Sequence, residues 1–256
     1  MARCRLNGVD IEYENGGSGP AVLLTHGFAS DRRTWAPQRT ALEPPYRLIT
    51  WDMRGHGQSQ SPDDPDQYSE ERSVEDMRAL LGHLGLERAV IGGLSLGGYM
   101  SLAFHHAYPD LVRALVICDA GPGYRSARAR AAWNLRAYRR ARNVEPPDPH
   151  GSTARAGMQG DPARGGAAPG GAHAARGMLA HRDSSVIDSL PGIRVPTLII
   201  VGERDTPFRP PSEYMAQKIP GARLEVIADA GHISNRDQPA AFNRVLRDFL
   251  DSLGDA

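Results

Sequence analysis

The segment Gly93-Leu94-Ser95-Leu96-Gly97 places a serine between glycines, directly after the apolar run Ala89-Val90-Ile91 and directly before a helical pattern. A strand–turn–helix setting of this kind forces the serine into an unfavourable backbone conformation, and the flanking glycines let the strand and helix pass closely. The turn exposes the hydroxyl at a helix N-terminus, where the N–H of Leu96 and the helix dipole point at a developing oxyanion. The pattern predicts Ser95 as the nucleophile of an acyl transfer.

Three further polar segments follow predicted strands, at the sheet edge where ligands bind in open α/β folds. They are His26-Gly27-Phe28-Ala29 after residues 21–25, Gly202-Glu203-Arg204-Asp205 after 197–201, and Asp229-Ala230-Gly231-His232 after 224–227. The chain therefore presents Ser95, then Asp205, then His232 at strand ends.

The elements that position these segments begin with a hairpin and then alternate. Residues 3–14 are predicted to form two strands around the turn Asn7-Gly8. Six more strands are predicted at Ala21–Thr25, Arg47–Trp51, 88–92, Val112–Cys118, Thr197–Val201 and Leu224–Ile227. The predicted helices are 34–42, Val74–Leu84, Leu96–Tyr108, 211–219 and Pro239–Leu253. Alternation with continuous apolar strands predicts an α/β fold, an eight-stranded and mostly parallel sheet with helices on both faces.

The alternation stops between the sixth and seventh strands. We therefore predict a core formed by residues 1–120 and 191–256, with a lid or cap insertion over 121–190. Within the insertion, residues 151–177 are rich in Gly, Ala and Pro, and Met158 is almost their only large apolar side chain. Such a segment buries too little surface to offset its ordering entropy, so we expect it to be mobile or irregular.

A second feature of the insertion is its run of arginines. They are Arg125, Arg128, Arg130, Arg136, Arg139, Arg140 and Arg142. One interpretation is a solvated helix face. The other is that the helix lies over the pocket, where one or two arginines would pair with a substrate carboxylate.

The order of serine, acid and base on such a sheet resembles the α/β-hydrolase superfamily, in its serine-nucleophile branch. The segment Asp52-Met53-Arg54-Gly55-His56-Gly57-Gln58-Ser59 also looks like the D-x-R-G-x-G-x-S loop of that family. The resemblance covers nearly the whole chain outside the insertion, and it is nearest to small enol-lactonases, esterases, cofactor-free perhydrolases and C–C bond hydrolases. It implies an α/β-hydrolase fold and hydrolysis of a small carboxylic ester or lactone.

The resemblance also implies roles for individual residues. Ser95 would attack the carbonyl, His232 would take its proton, and Asp205 would orient the imidazole, giving an acyl-enzyme that water hydrolyses. The oxyanion would be held by the backbone N–H groups of Leu96 and Phe28.

Alternatives remain at several positions. Asp119, at the end of the sixth strand, is the rival acid, while His26 and His56 are expected to support their loops. A serine at residue 95 argues against epoxide hydrolases and haloalkane dehalogenases, whose mechanism needs an aspartate nucleophile. Cleavage of a C–C bond, perhydrolysis and a small-ligand sensor role stay open beside ester or lactone hydrolysis.

Net charge and composition limit the classes of partner that the protein is expected to bind. The 256-residue chain has a formal net charge of zero, which gives no electrostatic footprint for nucleic acid or an anionic membrane. The N-terminus lacks the apolar region of a signal peptide, and two cysteines cannot form a disulfide framework, so we expect a cytoplasmic protein. Cys118 lies in an apolar strand pattern and is expected to be buried. Ligand spacings for metals are missing from the sequence, and catalysis is expected to need neither metal nor cofactor.

Overall fold

The computed structural model describes residues 1–144 and 170–254, and a single eight-stranded sheet is its centre. The strands are β1 (Ala2–Leu6), β2 (Val9–Gly16), β3 (Ala21–Thr25), β4 (Arg47–Trp51), β5 (Ala89–Leu94), β6 (Val112–Cys118), β7 (Thr197–Gly202) and β8 (Arg223–Ile227). Their order across the sheet is β1-β2-β4-β3-β5-β6-β7-β8. Strands β3 to β8 run parallel, and the β1–β2 hairpin adds two antiparallel strands at one edge.

Local sequence explains the hairpin and the burial of the central strands. Asn7 and Gly8 adopt φ values of 48° and 81°, the left-handed geometry of a tight two-residue turn. Strands β3 and β5 are buried along their whole length, which matches their continuous apolar sequences. The fold class expected from the alternation of elements is confirmed.

Nine α-helices connect or cover the strands in the described part of the chain. They are α1 (Ala36–Leu42), α2 (Glu70–His83), α3 (Leu96–Ala107), α4 (Ala127–Val144), α5 (Gly171–Gly177), α6 (Ser185–Ser189), α7 (Arg209–Lys218), α8 (Ser234–Asp237) and α9 (Pro239–Ser252). One face of the sheet packs against α1 and α9, through Leu42, Phe242 and Leu246, and against Trp35, which directly precedes α1. The opposite face packs against α2, α3 and α7. Among the described residues, no helix has the length and apolarity that a membrane span requires.

Helix α2 begins earlier than predicted. The sequence pattern placed its start at the apolar residue Val74, whereas the helix begins at Glu70. Ser69 is the N-cap, and its hydroxyl oxygen accepts a 3.1 Å hydrogen bond from the N–H of Arg72. The capping interaction adds a polar first turn that a search for apolar periodicity misses.

The insertion between β6 and β7 contributes α4, α5 and α6. Residues 171–177 were expected to be irregular, and here the expectation is corrected, because they form helix α5. The small side chains of Ala172 and Ala175 pack against Ala141 of α4, so tertiary packing supplies the stability that the composition lacks. Residues 151–169 of the segment expected to be mobile lie outside the described residues.

Candidate active site

Ser95 occupies a sharp turn between β5 and α3. Its φ of 55° and ψ of −113° are strained for a residue with a side chain. A Cβ atom on Gly97 would overlap the carbonyl oxygen of Thr25, and one on Gly93 would overlap the backbone of Gly97. Only glycine fits at these two positions, so the sequence forces the close crossing of strand and helix that holds the serine in its strained conformation.

A chain of hydrogen bonds links three strand ends. His232, after β8, has its Nε2 atom 3.0 Å from the Ser95 hydroxyl and its Nδ1 atom 2.8 Å from Oδ2 of Asp205, which follows β7. Because a carboxylate only accepts hydrogen bonds, Nδ1 carries the proton and Nε2 is free to accept one from the serine. The Asp205 side chain is 3% exposed and that of His232 is 41% exposed, so the acid is shielded while the imidazole faces the opening.

The loop that carries His232 is fixed from two sides. Phe208 stacks on the imidazole with ring centroids 4.7 Å apart and an interplanar angle of 26°. The N–H of Arg204 donates a 2.8 Å hydrogen bond to the carbonyl of Ala230, which connects the loops after β7 and β8. The imidazole is therefore held in the orientation that points Nε2 at Ser95.

Two backbone segments lie beside the serine. Leu96 is the first residue of α3, so its N–H has no acceptor within the helix. The loop after β3 is the other neighbour, since a Cβ atom on Gly27 would lie 3.4 Å from Cβ of Ser95. Phe28 follows Gly27 directly and its side chain is half-buried.

His26 and His56 support this loop. Nε2 of His26 accepts a 3.0 Å hydrogen bond from the N–H of Met53, and Nδ1 lies 2.7 Å from the carbonyl of Gly27. Burial lowers the pKa of His26 to about 4 and that of His56 to about 3. Both are neutral at pH 7, and their rings lie against each other with centroids 5.1 Å apart.

The segment Asp52–Ser59 turns out to be a scaffold of buried ion pairs. The Asp52 carboxylate accepts hydrogen bonds of 2.7 Å from the N–H of Arg32 and 2.6 Å from its guanidinium. Arg54 is fully buried and forms two hydrogen bonds, of 2.6 and 2.7 Å, with the buried carboxylate of Asp76 on α2. These contacts fix the loop after β4 against the body of the protein, and the sequence motif did not reveal the partner on α2.

The rival acid, Asp119, forms no hydrogen bond with the imidazole of His232 in the described part of the chain. Its carboxylate accepts a 2.8 Å hydrogen bond from the N–H of Gly202 and bonds of 3.2 and 2.5 Å from the N–H and hydroxyl of Ser234. Burial raises the pKa of Asp119 to about 7, and the hydrogen bonds from Ser234 and Gly202 act in the opposite direction.

Ser95 and His232 line a cavity of about 790 Å³. Its other lining residues include Tyr99, Tyr124, Trp133, Arg136, Arg140, Leu179, His181, Arg204 and Phe208. The volume is that of a small-molecule site, and its lining combines aromatic rings with a few charged groups.

One wall of the cavity is a stack of rings that the sequence did not reveal. His181 lies between Tyr99 and Trp133, with centroid distances of 4.3 and 5.6 Å and interplanar angles of 20° and 17°. Burial lowers the pKa of His181 to about 4, so the ring is neutral at pH 7. Among the described residues, no group of three or more His, Cys, Asp or Glu side chains is arranged to hold a metal ion.

Comparison with known proteins assigns the family. The model of the alpha/beta hydrolase fold family matches residues 20–239. The chain belongs to this family. The serine turn, the histidine loop and strands β3 to β8 lie within the matched range of this hydrolase, while β1 and β2 precede it.

Individual relatives of the hydrolase are similar over nearly their whole length. A thermophilic esterase from Thermogutta terrifontis, in its malate-bound structure, is 32% identical, has a TM-score of 0.85 and is covered over 99% of each chain. The enol-lactonase from Burkholderia xenovorans LB400 is 28% identical with a TM-score of 0.78, over 98% of this chain and 100% of that one. A putative 2-succinyl-6-hydroxy-2,4-cyclohexadiene-1-carboxylate synthase from Bacillus subtilis is 27% identical, over 95% of this chain and 96% of its own.

The hydrolase structure brings together Ser95, Asp205 and His232, which sequence reasoning selected. Their catalytic roles, and those of the Leu96 and Phe28 N–H groups, stay predictions. The aromatic wall of the cavity was not predicted, since Tyr99 on α3 and His181 in the insertion come from separate elements and carry no recognisable spacing.

Proposed function

We propose that this hydrolase cleaves a carboxylic ester or lactone of a small molecule through a serine acyl-enzyme. The proposal is supported by the hydrogen-bonded chain from Asp205 through His232 to Ser95, all three of which line the cavity. Similarity to an esterase and an enol-lactonase supports the same reaction class.

Each group has a distinct task in this proposal. Nε2 of His232 takes the proton of Ser95 as the hydroxyl oxygen attacks the carbonyl carbon, and Asp205 stabilises the imidazolium that forms. The imidazolium then protonates the leaving alcohol oxygen. Water, deprotonated by the same nitrogen, attacks the acyl-enzyme and releases the carboxylic acid and free Ser95.

The negative charge that develops on the carbonyl oxygen would be stabilised by the N–H groups of Leu96 and Phe28. Leu96 contributes through the N-terminus of α3, where the helix dipole adds to the hydrogen bond. One such donor is typically worth about 3–4 kcal/mol in the transition state. Both are main-chain groups, so substitutions at residues 28 or 96 should alter the shape of the site more than its charge.

Hydrolysis of 4-nitrophenyl esters from acetate to decanoate, with wild type beside Ser95→Ala, tests the proposal. We expect wild-type turnover that Ser95→Ala lowers by orders of magnitude. A fluorophosphonate probe should label Ser95 in wild type, as located by peptide mass spectrometry, and its labelling should require His232. Full activity in a correctly folded Ser95→Ala variant would overturn the mechanism.

A further inference from the structure

One face of helix α4 forms part of the cavity that contains Ser95 and His232. Trp133, Arg136 and Arg140 line that cavity, and their spacing of three and four residues places them on one side of the helix. Arg139, which is exposed on the same helix, does not line the cavity. Two of the arginines of the insertion are thus directed towards the site of the proposed chemistry.

Arg136 and Arg140 differ in their partners from Arg204, which also lines the cavity, and from two arginines outside it. Arg125 pairs with Asp188 at 2.6 Å, Arg182 pairs with Glu71 at 2.8 Å, and Arg204 pairs with Asp229. In residues 1–144 and 170–254, by contrast, neither Arg136 nor Arg140 forms an ion pair. The two guanidinium groups therefore leave a net positive charge on the lid side of the cavity.

The placement of the pair has an energetic cost within the helix. Arg136 and Arg140 are four residues apart, where like charges repel each other, and residues 127–144 contain six arginines and neither Asp nor Glu. An anion bound between the two side chains would remove this repulsion. A carboxylate matches the planar guanidinium fork and can accept two parallel hydrogen bonds from it.

The remaining lid-side lining has no positive charge to compete for the anion. The pKa of His181 is lowered to about 4 by burial, so its ring is neutral at pH 7. It stacks with Tyr99 and Trp133 as an uncharged, mostly aromatic surface. The catalytic carboxylate, Asp205, is already hydrogen-bonded to His232.

We propose that Arg136 and Arg140 bind a carboxylate group of the substrate. The hydrolase is then selective for anionic esters or lactones, such as monoesters of dicarboxylic acids or lactones that carry a free carboxylate. The ester carbonyl lies at Ser95 while the carboxylate lies at α4, and the aromatic wall contacts the apolar part between them. This inference rests on the proposed function for the reaction, and on the arginine pair for the charge of the substrate.

Matched substrates with and without the carboxylate test the inference. Mono-4-nitrophenyl glutarate is compared with 4-nitrophenyl pentanoate, which has the same acyl length without the acid. Similarly, 4-acetoxybenzoate is compared with phenyl acetate, which places the acid on the alcohol side. We expect wild type to have a higher kcat/KM for the anionic member of at least one pair.

Substitution of the two arginines should reduce that preference. In Arg136→Gln/Arg140→Gln the ratio of anionic to neutral kcat/KM is expected to fall by about 10- to 100-fold, the usual range for charge-assisted hydrogen bonds. Arg139→Gln is the matched control, because it removes the same charge from the same helix outside the cavity. An unchanged ratio in the double variant, or an equal fall in Arg139→Gln, would overturn the inference.

Binding of glutarate alone separates this inference from the proposed reaction. Calorimetry with Ser95→Ala, which needs no turnover, should give saturable binding that the arginine double variant loses and that weakens with salt. Failure of wild type on every ester, together with glutarate binding at the arginines, would contradict the reaction and support the anion site. Rapid hydrolysis of neutral esters without anion preference or glutarate binding would contradict the anion site alone.

Discussion

The hydroxyl of Ser234 donates a 2.5 Å hydrogen bond to Oδ2 of Asp119. Ser234 lies two residues after His232, and the other oxygen of the same carboxylate accepts the N–H of Gly202, three residues before Asp205. Asp119 therefore joins the two loops that hold the acid and the base. Its contacts are those of a positioning residue for these loops.

Substitution of the two aspartates should separate their roles. Asp119→Asn replaces one carboxylate oxygen with an N–H₂ group that faces a donor, so we expect a loss of about 1–3 kcal/mol in the free energy of unfolding. Asp205→Asn should instead lower kcat by about 10³- to 10⁴-fold, because the imidazole loses its orienting acceptor. Urea unfolding and ester kinetics on both variants measure the two effects. An equal fall in kcat for Asp119→Asn with unchanged stability would assign Asp119 the role of the acid.

Strain at the serine predicts a difference between two inactive variants. Ser95→Ala and Ser95→Gly both lack the hydroxyl, but only glycine adopts a φ of 55° without strain. Relief of about 1–3 kcal/mol of strain exceeds the entropy penalty of glycine, so Ser95→Gly should be more stable than Ser95→Ala by about 1 kcal/mol. For a domain of this size, the Tm of Ser95→Gly is expected to exceed that of Ser95→Ala by about 2–4 °C. Equal Tm values in calorimetry would mean that the turn carries no such strain.

The sequence predicted the sheet and the three strand ends well because both depend on local signals. Strands β4 and β6 have the predicted bounds, since their apolar runs are continuous and sharply delimited. The strained turn at Ser95 could be predicted because Gly93 and Gly97, which allow the close crossing of strand and helix, are adjacent to it in the local sequence.

Features that depend on contacts between distant segments were not predictable. The Arg54–Asp76 pair joins a loop to a helix, and neither residue type alone indicates the other. Helix α5 was missed because its stability comes from packing of its alanines against Ala141, a contact that composition does not encode. The same limit applies to His181, whose place between Tyr99 and Trp133 is determined by tertiary structure.

Close packing at the turn predicts opposite effects for two glycine substitutions. A Cβ on Gly97 would overlap the carbonyl oxygen of Thr25, so Gly97→Ala should cost about 1–3 kcal/mol of stability and displace Ser95, lowering kcat. Gly82, near the end of α2, has no atom within 4 Å of the corresponding position. Gly82→Ala should therefore be neutral or stabilising by up to about 1 kcal/mol through helix propensity. Chemical unfolding of both variants provides the comparison, and a stable, fully active Gly97→Ala would contradict the packing argument.

The buried ion pair Arg54–Asp76 predicts that substitutions of its two residues have non-additive effects on stability. Arg54→Met leaves the Asp76 carboxylate buried with the amide of Asn7 as its remaining partner, and Asp76→Leu leaves the guanidinium without its bidentate acceptor. Each single variant should lose about 3–5 kcal/mol, because an uncompensated charge stays buried. The double variant should recover much of that loss in urea unfolding. Additive losses in the double-mutant cycle would show that the two charges are independent.

Buried histidines predict that stability falls in mild acid. Burial lowers the pKa of His26 and His181 to about 4 and that of His56 to about 3, below the ordinary value of 6.5. Their contribution to the free energy of unfolding is fully present above about pH 6.5. It is lost as the pH falls through the folded-state pKa values, since the unfolded chain binds these protons more tightly. Asp119 acts in the opposite sense, because its raised pKa gives stability that is present below about pH 3.8 and is lost as the pH rises through about 7.

These three histidines and Asp119, taken by themselves, give a net uptake of about two protons on unfolding between about pH 4 and 6.5, or about 2.7 kcal/mol per pH unit from these four groups. His181→Phe keeps a ring between Tyr99 and Trp133 and removes one of these protons, so the free energy of unfolding should depend less steeply on pH. Asp119→Asn removes the proton that Asp119 releases on unfolding, so the free energy of unfolding should depend more steeply on pH. Urea unfolding at several pH values across this window measures both slopes, and parallel slopes for wild type and the two variants would show that these groups do not control the acid sensitivity.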